Sequence, residues 1–531
     1  MRQKKQINLA VIDCETDPFL FNRVPKPFCV EFLSQDGICE SFWGDDCIEQ
    51  CVNFLEKLDK PYLIFAHNGG KFDFHFFAKY IDNPLQIINS RIVKCKLFQH
   101  ELQDSYAIIP IPLHGYKKEV FDYRLLENDK REKNKQKILN YLHTDCVYLL
   151  ELVSAFVERF GVRLTVGQTA MRELKKLHEF ERLSPEDDAF FREFYYGGRV
   201  QCFQGGVMQG PWQIYDVNSM YPKAMRDFDH PVDGAFYVTD ELPDDGSFYF
   251  VEFEGENFGA LPTRTKTGLS FDQKDGIFKA CSHEVEAAMK LGLLQIDKVI
   301  SCHVAVETQR YESFVDTFYK QKVDAKLSGD HVGEIFAKLM LNSAYGKFGT
   351  NPANFKDFKI VHSPDDELEM REDGWSLEND YDDFEIWSKT SIIRDQSFYD
   401  VSIAASITSA ARSILLKGIH QAKDVIYCDT DSLICKSFSG EVSKTELGAW
   451  KLEAEADFAA IAGKKLYTLY NQGAKKPVKL SSKGGTLSMK ELIKIAKGGL
   501  VDFRNAAPTF SIRNETKFIL RKFKNTVAKS A

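Results

Sequence analysis

The chain has 531 residues and a formal net charge of −8, with 44% hydrophobic and 27% charged residues. This length predicts about three or four domains with ample core, and the fractions are ordinary for a folded globular protein. The negative balance excludes a uniformly basic nucleic-acid coat but is compatible with a local basic groove.

The 12 cysteines are scattered, and no paired CxxC units indicate a zinc site. Thiols in a chain of this size favour a reducing cytosol. We expect neither a signal peptide nor a membrane span, since residues 1–5 lead directly into a short predicted strand.

The first two predicted strands are followed by acids. Residues 7–12 continue into Asp13 and Glu15, which share one face because side chains alternate along a strand. A second buried strand, residues 61–66, leads into a glycine-containing turn after which Asp73 can begin a helix. A cap or a surface acid is the alternative for each residue taken alone.

An amphipathic helix is predicted over residues 137–156, with Tyr141 and Asp145 one turn apart. Four carboxylates on separate elements suit a nuclease that uses two metal ions, and Tyr141 would orient the attacking water. These carboxylates are Asp13, Glu15, Asp73 and Asp145.

Two later elements carry a second set of acids. Residues 211–215 form a strand that ends at Asp216, and Val217 then opens a helix start whose N–H groups suit phosphate. Asp429 and Asp431 lie in a tight turn between two short strands and point the same way. Two such carboxylates repel unless a cation such as Mg²⁺ lies between them, and Asp216 would complete a two-metal site. The alternative is an Asp-rich turn without a metal.

Residues 311–325 and 331–348 predict two helices joined by a short turn. On the second helix, Lys338, Asn342 and Tyr345 form one stripe. A cation, an amide and an aromatic ring on one stripe suit a nucleoside triphosphate, and Lys326 at the end of the first helix can converge on it. A surface lysine above a core tyrosine is the alternative.

The C-terminal end is strongly basic. From Lys464 onward there are 16 Lys and Arg residues against three acids, which is the electrostatic footprint of a segment that follows duplex phosphates. A solvated basic tail is the alternative. By contrast, residues 363–400 are conspicuously acidic and predict a solvated loop.

The segments around Asp216, Lys338 and Asp431, in this order and spacing, resemble motifs A, B and C of family B DNA polymerases. The sequences of these motifs are most similar to those of the protein-primed polymerases of bacteriophages, of the tectivirus type. The resemblance implies a mixed α/β fold, in which an RNase H-like 3′–5′ exonuclease domain precedes a right-hand polymerase of palm, fingers and thumb.

The resemblance also assigns roles at the polymerase site. It implies that Asp216 and Asp431 hold two Mg²⁺ ions, for which Mn²⁺ substitutes, with Asp429 assisting. We place Val217 among the metal and nucleotide contacts. Tyr221 would be the steric gate against a ribose 2′-OH, and the residues expected at the triphosphate are Lys326, Lys338, Asn342 and Tyr345.

The N-terminal acids resemble the Exo I, II and III motifs, with Asp13, Glu15 and Asp145 as metal ligands. By that likeness Asn68 and Phe72 would hold a single-stranded 3′ end. The supporting exonuclease lysine of the family would be Lys117 or Lys118, and the sequence does not choose between them.

Further motifs resemble elements of the family that contact DNA. A YxGG element coordinates synthesis with editing, a TxxAR element contacts template, a KxY element grips the primer, and an SKG segment follows it. Their residues are Tyr195, Gly197 and Gly198; Thr408 and Arg412; Lys465 and Tyr467; and Lys483.

We therefore predict four regions. They are an exonuclease domain (1–165), a connecting segment with the YxGG element (166–210), palm and fingers (211–460), and the end of the palm with the thumb (461–531). The palm and fingers would contain a first insertion at about 228–305, the fingers helices at about 311–348, and a second insertion at about 350–400 that forms a strand-displacing hairpin.

The implied function is DNA-directed DNA synthesis on a linear genome, primed by a terminal protein, with proofreading and strand displacement. The implied partners are template and primer DNA, dNTPs, the terminal protein and a single-stranded-DNA-binding protein, with no membrane. We expect a monomer in the cytoplasm of the host bacterium. The alternatives are a family B replicase with nucleic-acid primers, or a nuclease with an inactive polymerase site.

Overall fold

The computed structural model describes residues 7–113, 116, 121–180, 183–232, 234–266, 268–362, 367–391 and 399–527. Strands and helices are present in similar amounts. No helix in these ranges is long and apolar enough to cross a membrane.

The strands of the described residues are β1 (Leu9–Thr16), β2 (Pro27–Ser34), β3 (Cys39–Trp43), β4 (Leu63–Ala66), β5 (Asp82–Ile88), β6 (Arg91–Leu97), β7 (His100–Asp104), β8 (Val200–Cys202), β9 (Gly206–Val217), β10 (His230–Pro231), β11 (Phe236–Thr239), β12 (Tyr249–Asn257), β13 (Thr263–Thr265), β14 (Gly268–Ser270), β15 (Asp275–Cys281), β16 (Leu294–Ala305), β17 (Thr308–Gln309), β18 (Lys356–Val361), β19 (Ser376–Asp380), β20 (Glu385–Thr390), β21 (Ala422–Lys423), β22 (Tyr427–Asp429), β23 (Ser432–Cys435), β24 (Ser437–Phe438), β25 (Trp450–Gly463), β26 (Leu466–Tyr470), β27 (Lys479–Ser482), β28 (Val501–Arg504), β29 (Thr509–Ser511), β30 (Asn514–Lys517) and β31 (Leu520–Phe523). The helices are α1 (Cys47–Glu56), α2 (Asn128–Arg131), α3 (Lys135–Phe160), α4 (Val166–Leu174), α5 (Pro185–Phe191), α6 (Met220–Asp227), α7 (Ser282–Lys290), α8 (Glu312–Ser328), α9 (His331–Phe348), α10 (Glu367–Glu372), α11 (Val401–Gln421) and α12 (Met489–Ala496).

The N-terminal sheet has helices on both faces of β1. Alternate residues of β1 belong to two different cores: Leu9 and Val11 pack with α3, whereas Ala10 and Ile12 pack with α1. β1 pairs in parallel with β4 and antiparallel with β2. A strand that is covered on both faces has a nearly continuous run of apolar residues, and the sequence of β1 has such a run.

The predicted helix after Asp73 is instead a pair of 3₁₀ turns, Asp73–His75 and Ala78–Tyr80. Residues three apart eclipse in this geometry, so Phe74 and Phe77 can point together into the core. Both side chains are fully buried.

The second predicted insertion extends the N-terminal sheet. Strands β18, β20 and β19 continue it beyond β5, through a pairing of Phe358 with Leu85, so that the order is β19-β20-β18-β5-β6-β7-β4-β1-β2-β3. The region expected to form a solvated loop or a strand-displacing hairpin therefore has its strands β18 to β20 anchored on the N-terminal sheet.

A second large sheet, the central sheet, has the order β27-β26-β25-β9-β23-β22-β8. The strand β9 lies between β25 and β23 and is antiparallel to both. The first predicted insertion is a separate four-stranded sheet, β11-β16-β12-β15, with α7 packed on it.

The two long helices predicted after residue 310 are α8 and α9, which pack against each other as a hairpin. Gly329 ends α8 in the left-handed conformation, and the side chain of Asp330 accepts a hydrogen bond from the Gly333 N–H to cap α9. The small-residue helix α11 is almost entirely buried.

The hairpin β29–β30 of the C-terminal region docks onto the N-terminal domain. Phe510 stacks on His75 with ring centroids 5.1 Å apart, and Ile512 belongs to the core of the N-terminal sheet. The Tyr381 hydroxyl lies 3.1 Å from the Ile512 carbonyl, and Arg513 pairs with Glu378 at 2.8 Å. The N-terminal sheet, the strands β18 to β20 that extend it and the hairpin β29–β30 are thus in mutual contact.

We expect Tyr381→Phe to loosen this contact, because it removes a half-buried hydroxyl donor. A hydrogen bond of this kind contributes about 0.5–1.5 kcal/mol. Amide hydrogen exchange of residues 509–517 should accelerate, while Tyr237→Phe at an exposed position of β11 should leave it unchanged. Unaltered exchange in Tyr381→Phe would show that the hydroxyl does not hold the hairpin.

Candidate active sites

The turn between β22 and β23 carries two acids in a strained backbone. Thr430 has a φ of +58°, and the Asp431 N–H donates to the Asp429 carbonyl over 2.7 Å. A threonine rarely adopts this left-handed conformation, and such outliers cluster at functional sites.

Strand β9 brings the third acid to this turn. Asp216 pairs with Ser432 in the sheet register, and the Val217 N–H donates to the Asp431 carbonyl over 2.8 Å. Asp216 and Asp431, which are 215 positions apart in the sequence, therefore lie on adjacent strand ends. This is the convergence that the sequence predicted.

The electrostatics of this cluster suit a divalent cation. Burial raises the pKa of Asp216 to about 7, and the charge of Asp431 adds to the increase, followed by that of Glu453. Burial also raises the pKa of Asp431. Hard carboxylate oxygens that repel one another in a partly buried site are the donor set that Mg²⁺ or Mn²⁺ takes. The sequence analysis overlooked Glu453, which lies in β25 beside β9.

Asp429 has a different partner from Asp431. Its carboxylate pairs with the Lys465 ammonium at 2.8 Å and accepts from the Tyr427 hydroxyl at 3.3 Å. Lys465, expected at the primer, therefore neutralises Asp429 in this structure. Tyr467 is buried against Tyr427, with ring centroids 4.7 Å apart, and Lys483 is exposed beside them.

The YxGG segment packs directly on the acidic turn. A Cβ on Gly198 would lie 2.8 Å from the Thr430 hydroxyl, so only glycine fits there. The Arg199 carbonyl accepts from the Thr430 N–H over 2.7 Å. Gly197 faces open space, and Tyr195 is half-buried. The segment thus supports the turn, in addition to the DNA contact that the resemblance implied.

Thr408 and Arg412 are placed differently from the expectation of a template contact. They are 2% and 3% exposed. The Arg412 guanidinium forms a buried ion pair with Glu284 of α7 and donates to the Tyr196 and Gly197 carbonyls over 2.6 and 3.0 Å. Arg412 therefore holds the YxGG segment from inside, because a buried guanidinium must satisfy its donors within the protein.

The predicted nucleotide stripe of α9 faces outward. Lys338 and Asn342 are exposed, and Tyr345 is half-buried beneath them. The Tyr345 ring stacks on that of Tyr221 with centroids 3.8 Å apart and planes 11° apart. The predicted gate and the predicted base-stacking ring thus form one aromatic pair.

Lysines of α8 converge on the same stripe. Lys326 is exposed at the end of α8. The sequence analysis missed Lys322, one turn earlier, whose pKa is lowered by burial and then by the charge of Lys338. A cluster of lysines that repel one another is a binding site for a polyanion such as a triphosphate.

The N-terminal acids form a second cluster. Glu15 is buried, and burial together with the charges of Asp145 and Asp73 raises its pKa to about 8. The pKa of Asp13 is raised well above its ordinary value by burial, then by Asp73, Glu15 and Asp145. The strand β1, a 3₁₀ turn and α3 therefore bring all four predicted acids together. These four carboxylates, like those of the first cluster, suit divalent cations.

Aromatic side chains surround this second cluster. The Tyr141 ring stacks on Phe121 with centroids 4.1 Å apart, and its hydroxyl lies 3.1 Å from that of Tyr123. Phe72 packs edge-on against Phe19 and Phe510, with centroids 5.8 and 5.7 Å apart. Asn68 has a φ of +64° at the start of the preceding turn. The alternatives Lys117 and Lys118 lie outside the described residues.

Two separate carboxylate clusters, one beside a lysine-lined helical hairpin and one in an N-terminal α/β region, suit metal-dependent chemistry on nucleotides and phosphodiesters. A family model described as DNA polymerase type B, organellar and viral, matches residues 111–443. The chain belongs to this family, on its protein-primed phage branch, and is a DNA-directed DNA polymerase.

Relatives agree with this assignment, and a solved structure agrees with the fold. The DNA-directed DNA polymerase of Enterobacteria phage PRD1 is 41% identical, over 99% of both chains. The DNA polymerase of Streptococcus phage Cp-1 is 24% identical, over 78% of both. The structure of Phi29 DNA polymerase with primer-template DNA and incoming nucleotide substrates gives a TM-score of 0.73 at 16% identity, covering 98% of this chain and 100% of that one. The expected fold class is confirmed.

We expect Gly198→Ala to displace the acidic turn, because the added methyl would overlap the Thr430 side chain. Overpacking of this kind costs about 1–3 kcal/mol. Nucleotide incorporation should fall about 10- to 100-fold, since small misplacements of catalytic groups are costly.

Gly197→Ala is the matched control, and its free energy of unfolding should stay within about 0.5 kcal/mol of the parent. Chemical denaturation of both variants measures the difference. Equal losses of stability would contradict the assigned contact.

We expect Asp216→Asn to stabilise the metal-free protein more at pH 8 than at pH 5. The folded pKa of about 7 lies above the ordinary aspartate value, so the carboxyl loses stability as the pH rises through this interval. At pH 5 the folded side chain is protonated and the unfolded one is already ionised, so only part of this stability has been lost and the gain from the substitution is smaller. The shift in melting temperature at pH 8 should be on the order of 1 °C for a chain of this size.

The exposed acid Asp382 provides the control, because Asp382→Asn should shift the melting temperature equally at both pH values. A pH-independent effect of Asp216→Asn would contradict the repulsion between Asp216 and Asp431.

Proposed function

We propose that this polymerase starts synthesis on the hydroxyl of a separate terminal protein, copies a linear genome with strand displacement, and proofreads with a 3′–5′ exonuclease. The presence of two carboxylate clusters, one at β9 and the acidic turn and one at β1 and α3, carries the proofreading part of the proposal, and membership of the protein-primed phage branch supports the priming part. A polymerase without editing would not need the second cluster.

At the polymerase site, Asp216 and Asp431 would hold two Mg²⁺ ions, with the Val217 backbone beside them. When bound, such ions activate the attacking 3′-hydroxyl and stabilise the charge on the leaving pyrophosphate. Asp429 assists from the same turn, and its pairing with Lys465 limits the negative charge of the site.

The fingers hairpin would bind the incoming nucleotide. Lys326, Lys338 and Lys322 neutralise the triphosphate, and Asn342 lies on the same exposed stripe as Lys338. The stacked pair of Tyr221 and Tyr345 supports the sugar and base. A rigid ring at this place excludes a 2′-hydroxyl by steric contact.

At the exonuclease site, Asp13, Glu15 and Asp145 would hold the metal ions, and Asp73 completes the cluster. Tyr141 orients the attacking water, its ring being fixed by Phe121. Asn68 and Phe72 would hold the unpaired 3′ end. Phe510, which packs on Phe72, brings the C-terminal region to this site.

The division of the chain follows from these roles. Residues 1–165 would be the exonuclease domain, 166–210 the connecting segment, 211–460 palm and fingers, and 461–531 the end of the palm and the thumb. The further partners are a terminal protein and a single-stranded-DNA-binding protein. We place the enzyme as a monomer in the cytoplasm of a phage-infected bacterium.

We expect Asp431→Asn to abolish nucleotide incorporation on a primed template while exonuclease activity survives. Losing several kcal/mol of metal-mediated stabilisation corresponds to roughly a thousandfold or more in rate. Asp145→Asn is the reciprocal variant and should remove 3′-end degradation while incorporation continues. If Asp431→Asn retained incorporation, the assignment of the polymerase site would be wrong.

Priming is tested by incubating the enzyme with a candidate terminal protein, labelled dNTP and Mg²⁺. We expect a labelled protein–nucleotide product that resists denaturation and is absent with Asp431→Asn. Incorporation on a nucleic-acid primer, without adducts on any terminal protein tested, would favour the replicase that uses nucleic-acid primers.

A further inference from the structure

A group of potential metal ligands lies outside both carboxylate clusters. Glu31, Cys39 and His143 each offer a ligand atom, and these atoms lie within 4.8 Å of one another. The three residues come from β2, β3 and α3. Neither nucleotide addition nor 3′-end removal, as described above, uses any of them.

The sheet register explains why these side chains meet. Glu31 pairs with Asp13 on one side and with Ser41 on the other, so these residues share the face that α3 covers. Cys39 is two residues from Ser41 on β3 and lies on the same face. His143 reaches this face from α3.

The distances suit a tetrahedral ion. The Cys39 sulfur lies 3.7 Å from the His143 Nδ1, which in turn lies 2.8 Å from the Glu31 Oε1. Ligand bonds of about 2.0–2.3 Å place neighbouring tetrahedral ligand atoms about 3.3–3.7 Å apart. A shift of a few tenths of an ångström in the His143 ring would convert its hydrogen bond into a shared coordination site.

The burial pattern also suits a metal. Glu31 is 2% exposed, and its Oε2 accepts from the Ser41 hydroxyl over 3.0 Å, which fixes the carboxylate and leaves Oε1 directed at His143. Cys39 is exposed and the His143 side chain is 49% exposed, so an ion can enter from solvent.

We propose that Glu31, Cys39 and His143 form a zinc site with a fourth position open to water. Thiolate, imidazole and carboxylate ligands together favour Zn²⁺ over Mg²⁺, which prefers oxygen alone. The ion would link α3 to β2 and β3. His143 lies on the opposite flank of α3 from Tyr141 and Asp145, so the link would prevent α3 from rotating.

Cobalt is the probe, because a thiolate bound to Co²⁺ gives a near-ultraviolet charge-transfer band that carboxylate sites cannot give. We expect the full-length protein to show this band with one equivalent of Co²⁺ and to lose it when Zn²⁺ is added. Cys39→Ser should abolish the band. It should also weaken zinc binding more than tenfold, since even outer partners of a ligand cost about 10- to 100-fold.

Cys202→Ser is the matched control, because Cys202 is also accessible but lies outside this group, and it should keep the band. Zinc should raise the melting temperature of the parent more than that of Cys39→Ser, which separates this site from the carboxylate clusters. Absence of the band, or a band that persists in Cys39→Ser, overturns the proposal. Neither outcome bears on the polymerase or exonuclease assignments.

Discussion

The hydrogen bond from the Val217 N–H to the Asp431 carbonyl, together with the pairing of β9 with β23, is the constraint on which the cluster of Asp216, Asp429 and Asp431 depends. Without it Asp216 and Asp431 could not lie at a common site, because the segment between them contains the sheet of β11, β16, β12 and β15, the helical hairpin α8–α9 and the strands β18 to β20. The register between strands β9 and β23 therefore determines whether Asp216 and Asp431 lie close enough to share a metal ion. A slip of one residue would turn the acids to the opposite face of the sheet.

Both carboxylate clusters oppose folding in the absence of cations. Burial and mutual repulsion raise the pKa values of Glu15 and Asp216 to about 8 and 7. Rigid backbone holds each cluster in place. The turn at Thr430 holds the cluster that contains Asp216, and β1, packed between two helices, holds the cluster that contains Glu15. Burying carboxylates that repel one another lowers the stability of the fold, and a bound divalent cation can offset this loss. Such destabilising arrangements are characteristic of functional sites.

The region between β9 and α8 supports the cluster of Asp216, Asp429 and Asp431 from a distance. Glu284 of α7 holds Arg412, and Arg412 binds the Tyr196 and Gly197 carbonyls. Arg264 of β13 donates to the Tyr195 carbonyl over 2.8 Å and lies over the Tyr196 ring at 4.3 Å. Two arginines thus hold the YxGG segment, which in turn supports the acidic turn through Gly198. The buried ion pair satisfies charges that would otherwise be costly.

The sequence by itself determined the acids, the helical hairpin, the glycines of the YxGG segment and the basic C-terminal end, because motif spacing, periodicity and local charge are short-range properties. It could not show that Arg412 faces inward to Glu284, that Lys465 pairs with Asp429, or that Lys322 and Glu453 join the sites. It also could not show that β18 to β20 extend the N-terminal sheet, or that Phe510 reaches Phe72. These features depend on contacts between residues far apart in the chain, and only the tertiary structure decided them, because packing sets which side of a helix or strand is buried.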